Sequence, residues 1–350
     1  MNLKKVKSLN IKEDKWVIEH KTSLGNIVTF DFIYLPNDWF KKVQKEITIE
    51  CITIGRPSVA TLNRYNYNLR RFFEFISQYG IELNTFEDLT HQYSQMYLYY
   101  LKQQDISNST MAISLSALKW LVLHGQHLEY DGFPIKQVFD GDEYRAVKTE
   151  DMLKTKYISD NIMNQIEIAL KKEDIMLKSL VEIGIDTGIR LSEALDLSIG
   201  CLTEDFTGKP VLHVISKKND TERFIPVSRR VKRAVRTLEE LSKEGRKETS
   251  SDNLTIYWLS RGRPKRYDRL IQSIFRPQLK RFVKRHNIVN EDGSLYALSY
   301  HAFRHTLGTE MLNKGMTPTE IADYLGHESL YSTAGYAKFK NQLYRRNIKS

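Results

Sequence analysis

Apolar residues recur at spacings of three and four through residues 56–135, which is the period of an amphipathic helix. The first helical segment starts at Ser58, a residue type that favours the N-cap, and stops at Gly80, a residue type that favours the position after a helix. A second segment runs from Ser107 to Gly125 in the same way, and a third lies between them. The pattern therefore predicts a compact helical bundle with arginines along its edges.

Short runs of β-forming residues flank this helical region. Near the start of the chain, KWVIEH and NIVTFDFIYL stand on either side of a segment that contains Gly25–Asn26, which predicts a hairpin. Further along, VLHVIS (211–216) and RFIPVS (223–228) predict a second hairpin. A polar and charged stretch with glycine and proline, GFPIKQVFDGDEYRAVKTEDMLKTK, is the best candidate for a linker.

These patterns divide the chain into four segments. We expect a β-containing extension, a helical domain, a linker and a domain that mixes helix and strand over residues 1–50, 51–140, 141–156 and 157–350, respectively. The extension is either a small accessory DNA-binding module or a hairpin that caps the helices.

Composition narrows the class of partner. The formal net charge of +10 favours an acidic partner, most often nucleic acid. The first residues lack the apolar core of a secretory signal, and no apolar run approaches the roughly 20 residues of a membrane helix. Cys51 and Cys201 are far apart and match no metal or redox spacing, which indicates buried thiols in a reducing, cytoplasmic protein.

Two stretches carry ionisable side chains at positions that a predicted helix can hold in a fixed direction. TGIRLSEAL puts Arg190 just after a helix end, in a turn where its guanidinium can be aimed at a fixed point. LSYHAFRHTLGTEML carries His301, Arg304 and His305 at spacings that make them neighbours on a helix. Each signal alone has an ordinary explanation, such as a surface ion pair or a histidine at the edge of the core.

Two further stretches add a lysine, a histidine and a tyrosine. Lys217 and Lys218 lie at the tip of the second predicted hairpin. In TPTEIADYLGHESLYSTAGYAKF, a capping box starts a helix that ends before His327, and a further short helix carries Tyr336. Tyr331 is closer to the histidine, only four residues away, and is the less favoured candidate of the two tyrosines.

Taken together, the order Arg…Lys…His-x-x-Arg…His…Tyr resembles the catalytic signature of the tyrosine recombinases, the phage integrase family. The matching stretches are TGIRLSEAL, VISKKNDTERFIPV, LSYHAFRHTLGTEML and LGHESLYSTAGY, which span residues 187–336. The helical segment before them resembles the core-binding, SAM-like domain of that family. The resemblance implies an α+β chain that is mostly α, with a helical core-binding domain followed by a mixed α/β catalytic domain.

The resemblance also implies a reaction, the cleavage and rejoining of DNA through a 3′-phosphotyrosyl intermediate. Tyr336 would attack the phosphodiester, so that a covalent bond to the protein conserves the bond energy without ATP. Arg190 and Arg304 would hold the non-bridging phosphate oxygens with directional hydrogen bonds. His301 and His327 would add hydrogen bonds and help to handle the tyrosine proton. No cofactor and no metal ion are implied.

The same resemblance gives roles to a lysine, a glutamate and a further histidine. Lys217 would protonate the departing 5′ oxygen, with Lys218 as the alternative, because this hairpin tip lacks the glycine that the family usually has there. Glu193 would orient the site rather than carry a proton, and His305 would tie its helix down. Arg64, Arg70, Arg71 and Lys218 are the candidate DNA contacts.

The expected partners follow from the same family. We expect double-stranded DNA recombination sites bound by a homotetramer, with two protomers active at a time. The tail YAKFKNQLYRRNIKS would dock on a neighbouring protomer, and accessory or directionality proteins would join the assembly. The location would be the bacterial cytoplasm, associated with the nucleoid, without membrane attachment.

Three other functions compete with integration and excision of a mobile element. A chromosome-dimer resolvase would use the same chemistry. A non-catalytic regulator would use residues 301–325 as a helix-turn-helix with Gly315 in the turn. A metal-dependent nuclease would need ligands, for which His124 and His127 have suitable spacing but no accompanying carboxylates.

Overall fold

The structure is a computed structural model. It describes five ranges of the 350-residue chain, which are 10–22, 25–140, 157–217, 221–259 and 266–327. The chain divides into two compact units, Met1–Leu153 and Lys154–Ser350, which we call the amino-terminal unit and the carboxy-terminal unit. No helix within the described ranges has both the length and the apolar character that crossing a membrane requires.

The amino-terminal unit consists of a hairpin and a group of helices. Its elements are β1 (Lys15–Thr22), β2 (Gly25–Asp31), α1 (Asp38–Ile54), α2 (Val59–Gln78), a short 3₁₀ helix (Phe86–Asp88), α3 (His91–Gln103) and α4 (Asn108–His127). The hairpin is antiparallel and pairs Gly25 with Thr22. The predicted turn at Gly25–Asn26 is therefore wrong, since both residues lie in β2. Helix α1 begins within the segment expected to be a β-containing extension.

The two predicted helix starts are confirmed by side-chain caps. Ser58 accepts a hydrogen bond from the backbone nitrogen of Thr61, and Ser107 does the same for Thr110. The predicted end of α4 at Gly125 is wrong, because the helix continues to His127. The Phe133 ring occupies the space that a Cβ at residue 125 would fill, so this glycine serves close packing rather than helix termination.

One core joins the hairpin to the helices of this unit. Trp16, Phe30 and Phe32 belong to the same buried cluster as Phe40 of α1 and Phe72 of α2. Trp16 and Phe32 are in edge-to-face contact, with ring centroids 4.8 Å apart. The hairpin is thus part of the hydrophobic core that the helices form.

The carboxy-terminal unit mixes helices with two small antiparallel sheets. Its helices are α5 (Asp160–Leu170), α6 (Ile175–Thr187), α7 (Leu191–Leu195), α8 (Arg229–Leu241), α9 (Lys243–Thr249), α10 (Gln272–Arg285), α11 (Tyr300–Asn313) and α12 (Pro318–Leu325). Its strands are β3 (Leu202–Glu204), β4 (Pro210–Ser216), β5 (Thr221–Pro226), β6 (Ile256–Leu259) and β7 (Arg266–Arg269). The sheets have the orders β3-β4-β5 and β6-β7. The second predicted hairpin is confirmed as β4 and β5.

Helices α6 and α11 approach closely at a glycine. A Cβ at Gly184 would lie 2.7 Å from the Cζ atom of Tyr300, so only glycine leaves room for this ring. The Tyr300 hydroxyl donates a hydrogen bond to the carbonyl oxygen of Leu180, 2.8 Å away. This contact brings the carboxyl end of α6 beside the first turns of α11, and the functional site forms at that junction.

Candidate active site

Arg190 stands between α6 and α7 and is held at both ends. Its backbone nitrogen donates to Oε2 of Glu193 and its Nη1 donates to Oε1, each at 2.8 Å. Its Nη2 donates to the carbonyl oxygen of Gly326, also at 2.8 Å. The guanidinium predicted to sit in a turn therefore has a fixed direction.

Arg304 lies in the first turns of α11 and is only 1% exposed. Its Nη1 donates to the carbonyl oxygen of Gly188 at 3.1 Å, and its Nη2 donates to the carbonyl oxygen of Leu325. Leu325 and Gly326 close α12, where carbonyl groups lack partners within the helix and the helix dipole is negative. The end of α12 thus brings the two predicted arginines side by side.

His327 follows this helix end directly. Gly326 adopts the left-handed conformation with φ of 67°, and the backbone nitrogen of His327 donates to the carbonyl oxygen of Ala322 at 2.8 Å. Burial, followed by the positive charges of Arg304 and Arg190, lowers the pKa of His327 to about 4. The imidazole is therefore neutral at pH 7 and can accept a hydrogen bond.

Glu193 is the buried carboxylate of the site. Its side chain is 3% exposed, and it accepts hydrogen bonds from Arg190 and from Arg223 of β5. Burial opposes the charge, but the contacts with Arg223 and Arg190 outweigh it and lower the pKa of Glu193. The carboxylate therefore stays ionised, as the orienting role predicted for it requires.

Sequence reasoning did not single out Arg223. It lies within the quoted stretch VISKKNDTERFIPV, two residues before the buried Ile225 of the same strand. Alternate residues of a strand share a face, so Arg223 lies on the same face as Ile225, where a cation needs a partner. That alternation is the signal that could have found it.

His301 and His305 lie at the start of α11. His301 is exposed, and its ring meets the ring of His305 edge-on with centroids 4.6 Å apart. Beside them is an open cavity of about 460 Å³, whose lining includes Arg190, Arg276, Lys280, Ser299 and His301. Several cationic side chains around one cavity favour an anionic ligand.

Lys217 follows the last residue of β4 and lies near the end of α7. Its Nζ is 3.2 Å from Oδ2 of Asp196, and its side chain is 69% exposed. Asp196 also contacts Nη2 of Arg269. The other predicted residues of this chemistry, Lys218, Tyr331 and Tyr336, lie outside the described residues, as does the tail after them.

The candidate DNA contacts of the amino-terminal unit differ in surroundings. Arg64 is exposed. Arg70 pairs with Asp31, with 2.9 Å between Nη2 and Oδ2. Arg71 donates to Oδ1 of Asn68 at 2.9 Å.

The histidines considered as metal ligands lie at the end of α4. His124 stacks on Trp120, with ring centroids 5.2 Å apart, and its Nε2 is 3.7 Å from Sγ of the buried Cys51. In the ranges that the structure describes, no three His, Cys, Asp or Glu residues are grouped so as to hold a metal ion.

Two protein-family models match the chain. Residues 156–342 match the phage integrase family, and residues 52–122 match the phage integrase N-terminal SAM-like domain. Transposase B from transposon Tn554 of Staphylococcus aureus is 28% identical over 309 residues, which are 88% of this chain and 47% of the transposase. The chain thus spans about half the length of that relative. Tyrosine recombinase XerC of Staphylococcus haemolyticus is 25% identical over 296 residues, which are 83% of this chain and 89% of XerC.

Solved structures share the fold. XerH site-specific recombinase, in a post-cleavage complex with palindromic difH substrate, superposes with a TM-score of 0.64 at 18% identity, over 87% of this chain and 84% of that one. An integrase of transposon Tn1549 in complex with a circular intermediate DNA has a TM-score of 0.61 at 18% identity, over 84% of this chain and 94% of that one. The likeness confirms the expected mostly helical α+β fold, a helical domain followed by a mixed one.

Proposed function

The chain belongs to the phage integrase family of tyrosine recombinases, and from this we propose that it is a site-specific DNA recombinase of a mobile element. The observation that carries the proposal is the end of α12. There the carbonyl groups of two consecutive residues hold Arg190 and Arg304, and His327 comes next in the chain. Similarity to transposase B supports integration and excision as the biological role.

The reaction exchanges one phosphoester for another. The hydroxyl oxygen of Tyr336 attacks the phosphorus, the bond from phosphorus to the 5′ oxygen breaks, and a 3′-phosphotyrosyl bond remains. As the oxygen attacks, its proton passes to solvent by way of the imidazole of His327, which its lowered pKa keeps neutral at pH 7 and so able to accept the hydrogen bond of the hydroxyl. Lys217 gives a proton to the departing 5′ oxygen. Attack by a 5′ hydroxyl of the partner strand reverses these steps and rejoins the DNA.

The arginines stabilise the charge that develops on the phosphorus. Two guanidinium groups hydrogen-bond the non-bridging oxygens, and each such donor contributes about a hundredfold or more to the rate in comparable sites. Arg304 is held by backbone carbonyls, which orient a guanidinium without cancelling its charge. His301 lines the adjacent cavity and adds a hydrogen bond from the open side.

The alternative functions fit the same residues less well. A chromosome-dimer resolvase would use identical chemistry, and similarity to XerC supports it as the second candidate. A helix-turn-helix regulator would present α12 to the DNA groove. That helix has the sequence PTEIADYL, whose only charged residues are Glu320 and Asp323, and an acidic recognition helix opposes phosphate binding.

The partners are part of the proposal. Double-stranded recombination sites would be bound by four protomers, with accessory or directionality proteins and with the tail docked on a neighbouring protomer. The net charge of +10 supports strong, salt-dependent DNA binding in the bacterial cytoplasm. Truncation after Lys340 tests the tail, which we expect to weaken assembly and recombination. Unchanged assembly would contradict that part of the proposal.

Covalent trapping tests the function. The protein is expressed with DNA from its own genetic neighbourhood and denatured quickly, and the DNA that stays attached is sequenced, with Tyr336→Phe as the matched control. We expect attachment through a 3′ phosphate, retained in chelator and lost in the variant. Specific binding without trapping, even on nicked DNA, would favour the regulator, and trapping that survives the substitution would move the nucleophile to Tyr331.

A further inference from the structure

We propose that Arg223 is a positioning residue of the active site, because it holds the Glu193 carboxylate that aims Arg190. This inference rests on the proposed recombinase function and extends it to a residue of β5. Nη2 of Arg223 is 2.8 Å from Oε2 of Glu193, and Nη1 is 3.3 Å from Oε1. Both terminal nitrogens face a carboxylate of the protein, so Arg223 acts through Glu193 rather than on the DNA.

Because the Arg223–Glu193 pair is buried, the arginine fixes the orientation of the carboxylate. The side chain of Arg223 is 12% exposed and that of Glu193 is 3% exposed. In such surroundings a carboxylate that lost one partner would turn toward the remaining cation or toward water. Glu193 also accepts hydrogen bonds from the backbone nitrogen and Nη1 of Arg190, so its orientation sets the direction of that guanidinium.

Arg223 also lies against Gly326, the residue whose carbonyl group holds Arg190. A Cβ at Gly326 would lie 2.8 Å from Nη1 of Arg223, so the guanidinium lies against the bare backbone of this residue. The carbonyl oxygen of the same residue accepts from Nη2 of Arg190 at 2.8 Å. Arg223 therefore supports both groups that hold Arg190, the carboxylate and the peptide before His327.

The strand adds a link to the hairpin tip. Arg223 pairs with Val214 in the β4–β5 ladder, and the same ladder ends at Ser216 and Thr221, next to Lys217. Because Arg223 belongs to this hairpin and contacts Glu193, it fixes the hairpin relative to Arg190. Arg223 is thus one link between the guanidinium of Arg190 and the hairpin that carries Lys217.

Single-turnover cleavage of a nicked half-site, taken from the DNA that covalent trapping identifies, tests the inference. We expect Arg223→Gln to lower the cleavage rate constant about 10- to 100-fold, the cost of a misplaced catalytic group, with the Kd for DNA within about twofold of the wild type. Arg223→Lys keeps the charge and one donor, and should recover part of the rate. Arg230→Gln is the matched control, because Arg230 also contacts two carboxylates, Glu167 and Asp186, outside this group.

A double-mutant comparison separates positioning from general stability. If Arg223 acts through Glu193, Arg223→Gln combined with Glu193→Gln cleaves as fast as Glu193→Gln alone. This comparison stands even if Arg223→Gln alone does not fold, since the double variant leaves no unpaired carboxylate.

Each outcome decides the inference. Additive losses in the double variant, or wild-type cleavage by Arg223→Gln, would overturn it while leaving the recombinase function intact. A wild-type protein that forms no covalent complex would overturn the proposed function itself, and this inference with it.

Discussion

The two units of the molecule both bury a cation, but they hold it in different ways. In the amino-terminal unit, Lys45 is 7% exposed, and its Nζ is 2.8 Å from Oδ1 of Asp14, which Lys41 also contacts. Asp14 thus joins two lysines of α1 to the chain just before β1. In the carboxy-terminal unit, Arg304 donates to two carbonyl oxygens, and two arginines, Arg190 and Arg223, contact the carboxylate of Glu193.

The difference distinguishes the surroundings of Lys45 from those of Arg304. A carboxylate cancels the charge of the cation it holds, whereas a peptide carbonyl orients the cation and leaves its charge available to an anionic ligand. Carbonyl groups hold Arg304 in this way at the place where a phosphate is proposed to bind.

The largest expected effect is on Arg304. Arg304→Lys keeps the charge but cannot reach both carbonyl oxygens, and we expect the single-turnover cleavage rate to fall about 100- to 1,000-fold. Lys45→Gln, the matched change in the amino-terminal unit, should leave the cleavage rate within about twofold while lowering stability. Equal effects of the two substitutions on cleavage would remove the distinction between the units.

Stability should show the next largest difference. Glu193→Ala leaves Arg223 buried without its carboxylate, and we expect the free energy of unfolding to fall by about 3 kcal/mol. Asp14→Ala removes a carboxylate that is 31% exposed, and about 1 kcal/mol is expected. Urea titrations of the two variants measure both values, and a larger loss for Asp14→Ala would reverse the comparison.

The pH dependence of stability should differ between the units. The pKa of His327 is about 4 in the folded protein, below its ordinary value of 6.5. Between these pH values His327 is protonated in the unfolded chain but stays neutral in the folded protein. Stability therefore falls as the pH drops from 6.5 to 4, by about 1 kcal/mol once solvent screening of this half-buried group is allowed for. His327→Asn should lack this component, as parallel urea titrations at pH 7 and pH 4.5 would reveal.

Asp14 should act in a lower pH window. Hydrogen bonds from Lys41 and Lys45 lower the pKa of Asp14 below 3.8, so its contribution is complete above that pH and is lost as the pH falls further. Asp14→Asn should therefore lower stability by a constant amount above about pH 4, and its difference from the wild type should shrink as the pH falls further. A difference that already varies with pH near pH 6 would contradict the assignment.

The smallest effect is expected at Asp196. The pair that it forms with Lys217 is exposed on the lysine side, and such pairs contribute less than about 1 kcal/mol. Asp196→Asn should change the cleavage rate less than about threefold, measured on the same nicked DNA. A loss beyond tenfold would mean that Asp196 places Lys217 for proton transfer.

The sequence patterns predicted those structural elements that depend only on residues close together in the chain. The caps at Ser58 and Ser107 and the β4–β5 hairpin depend on neighbouring residues, and the structure confirms them. The prediction that Gly125 ends its helix was wrong, because this glycine makes room for the Phe133 ring, eight residues further along the chain. Helix α1 was also missed, although its buried positions Phe40, Val43, Ile47 and Cys51 recur at helical spacing.

The order of arginine, lysine, histidine and tyrosine along the chain was enough to predict the family and the chemistry, since each motif is a short stretch with its own spacing. Which groups hold one another was decided by the tertiary structure alone. Arg190 and the residue that accepts its hydrogen bond at the end of α12 are 136 residues apart, and Arg304 and its acceptor there are 21 residues apart. Arg223 and Glu193 are 30 residues apart. Partners at such separations are chosen by the packing of α6, α11 and the hairpin, which no local spacing encodes.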